Sequence, residues 1–220
     1  MSERIPICIF AKPPVPGTVN TRLAPLVGET GAASLAEAFL RDTIALVEEI
    51  DWARLVLATT GPIPDTIARP ADTPEWPQGE GDLGERVERV LRRALDDAPF
   101  AIALGVDSPG LPRAYLEETR DALGSSDTVL GPCEDGGFYT IALRWCPEGL
   151  LADIPWSRSR TMACTHQRLR LFGLTTHFAP TWFDVDRPRD LRRLRAEIEA
   201  GHAHAPHTLT VLETLRTDPR

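Results

Sequence analysis

The chain has 220 residues, with 24 Lys and Arg against 32 Asp and Glu and a formal charge of −8. Its 42% apolar and 25% charged residues lie near globular averages, which excludes a disordered or collagen-like chain, and the acidic balance argues against a general nucleic-acid binder. No apolar run approaches the ~20 residues that span a bilayer, and the run in MSERIPICIF is too short for a signal-peptide core, so a cytoplasmic protein without a membrane partner is expected. The length predicts one domain over residues 1–220, with about 201–220 as a C-terminal tail. Cys8, Cys133, Cys146 and Cys164 form no CxxC pair and read as reduced thiols. The basic side is 23 arginines and a single lysine, Lys12.

Ile5 to Ala11 reads as a buried strand, stopped by Pro13, Pro14 and Pro16, which force a loop. A helix is predicted from about Thr30 to Ile50, where Leu35, Phe39, Thr43, Leu46 and Ile50 share one face. Arg54 to Thr60 is a second strand, and residues 61–82 read as loop with little regular structure. Leu83 to Asp97 is predicted helical, Phe100 to Val106 a third buried strand, and Leu111 to Leu123 helical. Thr128 to Leu130 and Phe138 to Leu143 are strands around a Glu-Asp-Gly-Gly turn. A helix from Thr161 to Phe172, a strand from Leu174 to Phe178 and a helix from Pro188 to Ala200 complete the pattern, with helical character near Leu209 to Leu215. Strands alternating with helices imply a mostly parallel sheet covered on both faces, with ligands bound beyond the carboxyl ends of the strands.

Five segments at such positions can carry chemistry. KPPVPGTVNTR combines a Gly17-Thr18 backbone pair, the Arg22 fork and the Lys12 charge, which suits a phosphate or is only a solvated loop. Around GEGDLGER, the glycines permit close approach of a flat ligand and Gln78 can read a base edge; the other reading is a flexible loop ending in an Asp82 helix cap. In GVDSPGL, Asp107 ends a buried strand and either holds Mg²⁺ or caps a turn. In GPCEDGGFY, Glu134 and Asp135 can orient or deprotonate an acceptor, or the segment is an ordinary hairpin turn. In DVDRPRDL, Asp184 and Asp186 share a face in an extended segment and suggest a second metal contact, while Asp186 can also cap the helix opening at Pro188. His202, His204 and His207 have no completing ligand for zinc, and Ser157 is not in a GxSxG elbow.

In this order, FAKPPVPGTVNTRLAPL, QGEGDLGERV, GVDSPGL, GPCEDGGFYTIAL, IPWS and DVDRPRDL resemble the small bacterial branch of the GT-A nucleotide-diphospho-sugar transferases, which includes arsenosugar-biosynthesis-type glycosyltransferases, from about Ile5 to Leu194. The layout also resembles the phospholactate and molybdenum-cofactor guanylyltransferases. The resemblance implies a single-domain, Rossmann-like α/β GT-A fold and a transferase using Mg²⁺ or Mn²⁺, a nucleotide or nucleotide-sugar, and a small-molecule acceptor. It implies nucleotide contacts at Lys12, Gly17, Thr18, Arg22, Gln78, Gly84 and Arg86, and metal contacts at Asp107 and Asp186. It further implies catalytic roles for Asp135, Glu134 and Arg22, and an acceptor side at Gly136, Gly137 and Trp156. Glycosyl transfer is the reaction expected; nucleotidyl transfer from an NTP to a phosphorylated acceptor is the alternative. One position departs: the family pattern has Lys before the Thr-Arg of the first loop, where this chain has Asn20. Losing one such electrostatic group commonly costs ~2.7–4 kcal/mol of barrier, which keeps nucleotide binding without turnover as a further alternative.

Overall fold

The computed structural model describes residues 4–217. Its seven strands are β1 (Ile5–Ala11), β2 (Ala53–Thr59), β3 (Glu75–Pro77), β4 (Ala101–Gly105), β5 (Thr128–Pro132), β6 (Phe138–Leu143) and β7 (Thr176–Phe178). The helices are α1 (Ala24–Glu48), α2 (Leu83–Leu95), α3 (Arg113–Ala122), α4 (Thr161–Leu171), α5 (Pro188–Glu199) and α6 (Pro206–Thr217). The strands form one sheet in the order β3-β2-β1-β4-β6-β5-β7. Strand β6 runs antiparallel to both its neighbours, and every other pairing is parallel.

The near-continuous apolar sequence of the central strands follows from burial on both faces. In β1, Ile7, Ile9 and Ala11 join a core with Phe39 of α1, Leu116 of α3 and Leu194 of α5. The intervening Cys8 packs with Val87 and Leu91 of α2 on the other face. The same alternation runs through β2 and β4, so the expected two-faced α/β sheet is what forms. No helix among the described residues is long and apolar enough to cross a membrane.

Three expectations need correction. Helix α1 begins at Ala24, ahead of Thr30, because Pro25 starts a first turn before a non-helical break at Gly28; the amphipathic pattern marks only the helix beyond that break. Within 61–82, Glu75–Pro77 pairs in parallel with Leu57–Thr59. So short an edge strand has no periodicity to read, yet its Trp76 is buried beneath the Arg93 guanidinium, 4.2 Å from the ring centroid. Residues 206–217 are a docked helix rather than a tail. The buried Asp42 of α1 accepts from the His207 and Thr208 backbone N–H groups at 2.9 and 3.0 Å and from Thr208 Oγ1 at 2.6 Å. A carboxylate 165 residues away thus caps α6 and neutralises its orphan donors.

Candidate active site

The strand order reverses between β1 and β4, which leaves a crevice beyond their carboxyl ends. A cleft of about 600 Å³ opens there, within the usual size of a ligand site. The loop leaving β1 supplies Lys12, Thr18, Asn20 and Arg22; α2 supplies Leu83 and Arg86; the end of β4 supplies Asp107 and Ser108; and Asp184 and Asp186 come from the strap after β7.

The acidic wall is tied together by backbone bonds. The Val185 N–H donates to the Asp107 carbonyl at 2.7 Å, and Trp182 bridges Cys133, so the strap lies across the ends of β4 and β5. With Val185 facing the core, Asp184 and Asp186 both face the cleft, as their two-residue spacing implies. Asp184 is the better held: Ser108 Oγ donates to it at 2.6 Å and Cys133 Sγ at 3.0 Å. Its carboxyl is nevertheless pushed above the usual range, mainly by burial. One ligand atom each from Cys133, Asp135 and Asp184 lie within 4.8 Å of one another. Burial drives the Cys133 thiol far up, so it stays protonated and donates to Asp184.

Asp107 opens into the cleft, yet protein crowds its carboxyl from behind. That burial, followed by the charges of Asp184 and Asp186, raises its pKa to about 6 against the opposing pull of Lys12. Asp186 forms an ion pair with Arg22 at 2.5 Å.

The remaining sequence candidates fall into different places. Gln78 is buried, and its Nε2 donates to the carbonyls of Ala58 and Ala11 at 2.9 and 3.2 Å. Its amide N–H groups therefore hold the ends of β1 and β2, leaving them no base edge to read. Gly84 lies in α2 away from the cleft lining; a Cβ there would stand 2.3 Å from the Leu151 carbonyl oxygen and 3.0 Å from the Trp156 ring. Close packing against Trp156, rather than nucleotide approach, explains it. Trp156 stands edge-on to Phe138, which lines the cleft. Asp82 caps α2 in a reciprocal box with Glu85. Gly17 occupies the exposed turn of the β1 loop beside Glu29. Gly136 adopts φ 92°, with the Ser159 carbonyl where a Cβ would be, and Gly137 donates its N–H to Asp135 Oδ1 at 2.7 Å.

Glu134 is held by a two-pronged ion pair to Arg193 of α5 at 2.5 and 2.7 Å, which lowers its carboxyl pKa. A carboxylate so committed is a poor proton acceptor, which counts against the catalytic share expected of Glu134. Asp186 does not cap α5; Asp190 accepts from the Arg187 N–H instead. Sequence reasoning missed Ser108 and Cys133, the two groups that hold Asp184, and preferred Asp186 to Asp184. The Asp-x-Asp spacing carried the signal for Asp184, but its partners lie 76 and 51 residues away.

Fold and cleft together define an α/β protein of the nucleotide-diphospho-sugar transferase architecture. Residues 43–158 match the family described as "uncharacterized protein conserved in bacteria (DUF2064)", and the chain belongs to that family. Among solved structures it resembles a "putative nucleotide-diphospho-sugar transferase" from Desulfovibrio desulfuricans G20, with 26% identity, TM-score 0.84, and 97% of this chain and 96% of that one covered. A cytidylyltransferase from Leptospira borgpetersenii serovar Hardjo-bovis (14% identity, TM-score 0.60, 99% of each chain) shares the fold. So does 4-diphosphocytidyl-2C-methyl-D-erythritol synthase from Anaerococcus prevotii (13%, TM-score 0.59, 90% of this chain and 100% of that one). No curated protein matches the chain.

Proposed function

We propose that the protein transfers a glycosyl group from a nucleoside-diphosphate sugar to a small acceptor, with Mg²⁺ or Mn²⁺ as cofactor. The observation that carries this reading is the convergence of a cationic loop and a carboxylate cluster at one switch-point cleft. The likeness to the Desulfovibrio protein over nearly the whole chain favours a sugar donor over an NTP donor. Lys12, Thr18 and Arg22 would bind the diphosphate, with Gly17 shaping their loop. Leu83 and Arg86 would flank the base, with Gln78 bracing the strand ends beneath it. Trp156 and the Gly136-Gly137 turn would line the acceptor side.

The acidic wall fits a hard divalent cation. Asp107, Asp184 and Asp186 would offer carboxylate oxygens; the upward shift of Asp107 comes first from burial and then from the charges of Asp184 and Asp186, which a cation would offset. When bound, the ion would neutralise charge on the departing diphosphate. In the reaction the bond from the anomeric carbon to the diphosphate oxygen breaks, its electron pair leaving on the nucleoside diphosphate. The acceptor oxygen bonds to that carbon, and the acceptor proton passes to Asp135.

The test is thermal shift against nucleoside-diphosphate sugars and NTPs, each with and without Mg²⁺, followed by assay of nucleoside-diphosphate release with hydroxyl acceptors. A Mg²⁺-dependent rise with one sugar donor, and turnover with it, is expected. Pyrophosphate release from an NTP would move the assignment to nucleotidyl transfer. Binding without product under any donor would make the protein a nucleotide-binding module.

A further inference from the structure

Arg193 of α5 touches both pieces of chain that bring Asp135 and Asp184 together. Its Nη1 and Nη2 donate to Glu134 Oε2 and Oε1 at 2.5 and 2.7 Å. Its Cζ lies 4.0 Å from the centroid of the buried Phe183 ring, a cation–π stack. Glu134 immediately precedes Asp135, and Phe183 immediately precedes Asp184. One planar guanidinium therefore grips the neighbour of each acid, with its edge on the first and its face on the second. The grip starts from a fixed base, because Leu191 and Leu194, which flank Arg193 in the chain, seat α5 in the core. In the extended strap Phe183 and Val185 turn into that core, so Asp184 and Asp186 turn to the cleft.

The two acids need this grip unequally. Asp184 is held by Ser108 and Cys133, on a strap whose Val185 N–H is tied to Asp107. Asp135 is exposed, and its Oδ1 accepts from Gly137 N–H within its own turn. Its place against Asp184 therefore depends on what ties the whole turn to the strap. The start of the turn is tied by the Cys133–Asp184 bond and by the Glu134 N–H, which donates to the Trp182 carbonyl at 3.2 Å. The far end is tied to α4 instead, through the Met162 N–H and the Gly136 carbonyl at 2.9 Å. Arg193 adds the hold on the Glu134 side chain, next to Asp135 itself, and it stands outside the cleft lining.

We infer that Arg193 is a positioning residue: by gripping Glu134 and Phe183 at once it sets where Asp135 stands against Asp184, and so the geometry in which the acceptor proton is taken. This rests on the glycosyl-transfer reading given above, in which Asp135 receives that proton. Arg193 acts through Asp135, so its contribution exists only while Asp135 can accept a proton.

Steady-state kinetics of the whole chain test it, with Mg²⁺ and the nucleoside-diphosphate sugar that supports turnover, in two backgrounds. Arg193→Ala should lower kcat about tenfold and leave the donor KM within about twofold; the loss stays below the ~10²-fold that a 1 Å misplacement can cost because the backbone ties remain. In an Asp135→Asn background the same substitution should cost under about twofold, since no base is left to place. Arg193→Lys, which keeps a cation near Phe183 but not the fork, should recover part of the loss. Glu134→Gln keeps an acceptor oxygen for the guanidinium and leaves the Phe183 stack, so its loss should stay small. Equal losses from Arg193→Ala in both backgrounds overturn the inference, as does an unchanged kcat or a loss confined to the donor KM. Hydrogen exchange separates that failure from failure of the reading: the peptide spanning residues 133–137 should exchange about tenfold faster in Arg193→Ala, and unchanged exchange also overturns the inference. If Asp135→Asn itself leaves kcat unchanged, or no sugar donor turns over, the reading of Asp135 falls and the inference falls with it.

Discussion

The wall that carries Lys12, Thr18, Asn20 and Arg22 is one continuous stretch of chain leaving β1. The opposite wall is assembled from separate pieces, Asp107 and Ser108 after β4 and Asp184 and Asp186 after β7, with Cys133 and Asp135 after β5 lying beside Asp184. The first wall is loose, with Lys12 and Arg22 exposed and Asn20 Nδ2 unpaired. The second is tied by the Val185–Asp107 and Trp182–Cys133 contacts and by the bonds from Ser108 and Cys133 to Asp184. A wall of like charges must be held rigidly, because repulsion among Asp107, Asp184 and Asp186 would otherwise spread it. A cationic loop can stay adaptable until an anion orders it.

Removing a charge from the tied wall gives the largest expected effect. Asp107→Asn should lower kcat about 10³-fold, as loss of one preorganised electrostatic group does, with the fold retained in circular dichroism. Its pH behaviour is equally diagnostic. The Asp107 carboxyl titrates at about 6 in the folded protein, above its unfolded value of 3.8. Its stabilising contribution is therefore complete below pH 3.8 and lost as pH rises through 6. Denaturation across about pH 4 to 7 should show wild type losing stability relative to Asp107→Asn, and divalent-ion binding should weaken below about pH 6. Parallel stability curves would break the claim that burial and like charge together raise Asp107.

The proposed acceptor side, at Asp135 beside Asp184, should respond less. Asp135→Asn should cost about 10²-fold in turnover with donor affinity unchanged, the lower end for a general base. If donor binding falls instead, Asp135 belongs with the carboxylates proposed to hold the metal. Away from the cleft, Asp42→Ala should destabilise the protein by about 2 kcal/mol, measured by urea unfolding, because α6 loses its cap while activity persists. The smallest effect is expected for Glu134→Gln: under ~1 kcal/mol in stability, since its pair with Arg193 is largely exposed, and about twofold or less in turnover. A large loss of activity in that variant would restore Glu134 to the chemistry.

The sequence alone carried whatever depends on near neighbours in the chain. The apolar runs of β1, β2 and β4 mark two-faced burial, and Asp82 with Glu85 spells a helix cap. Asp-Gly-Gly marks the turn between β5 and β6, and the proline-stopped loop after β1 marks one wall of the cleft. Each is a local pattern whose physics acts within a few residues. Tertiary structure decided the rest: that Gln78 braces β1 and β2, that Glu134 belongs to Arg193, that Asp184 is held by Ser108, and that the last helix docks on Asp42. These partners lie 20, 59, 76 and 166 residues apart, so only the strand order and the helix packing bring them within reach of a hydrogen bond.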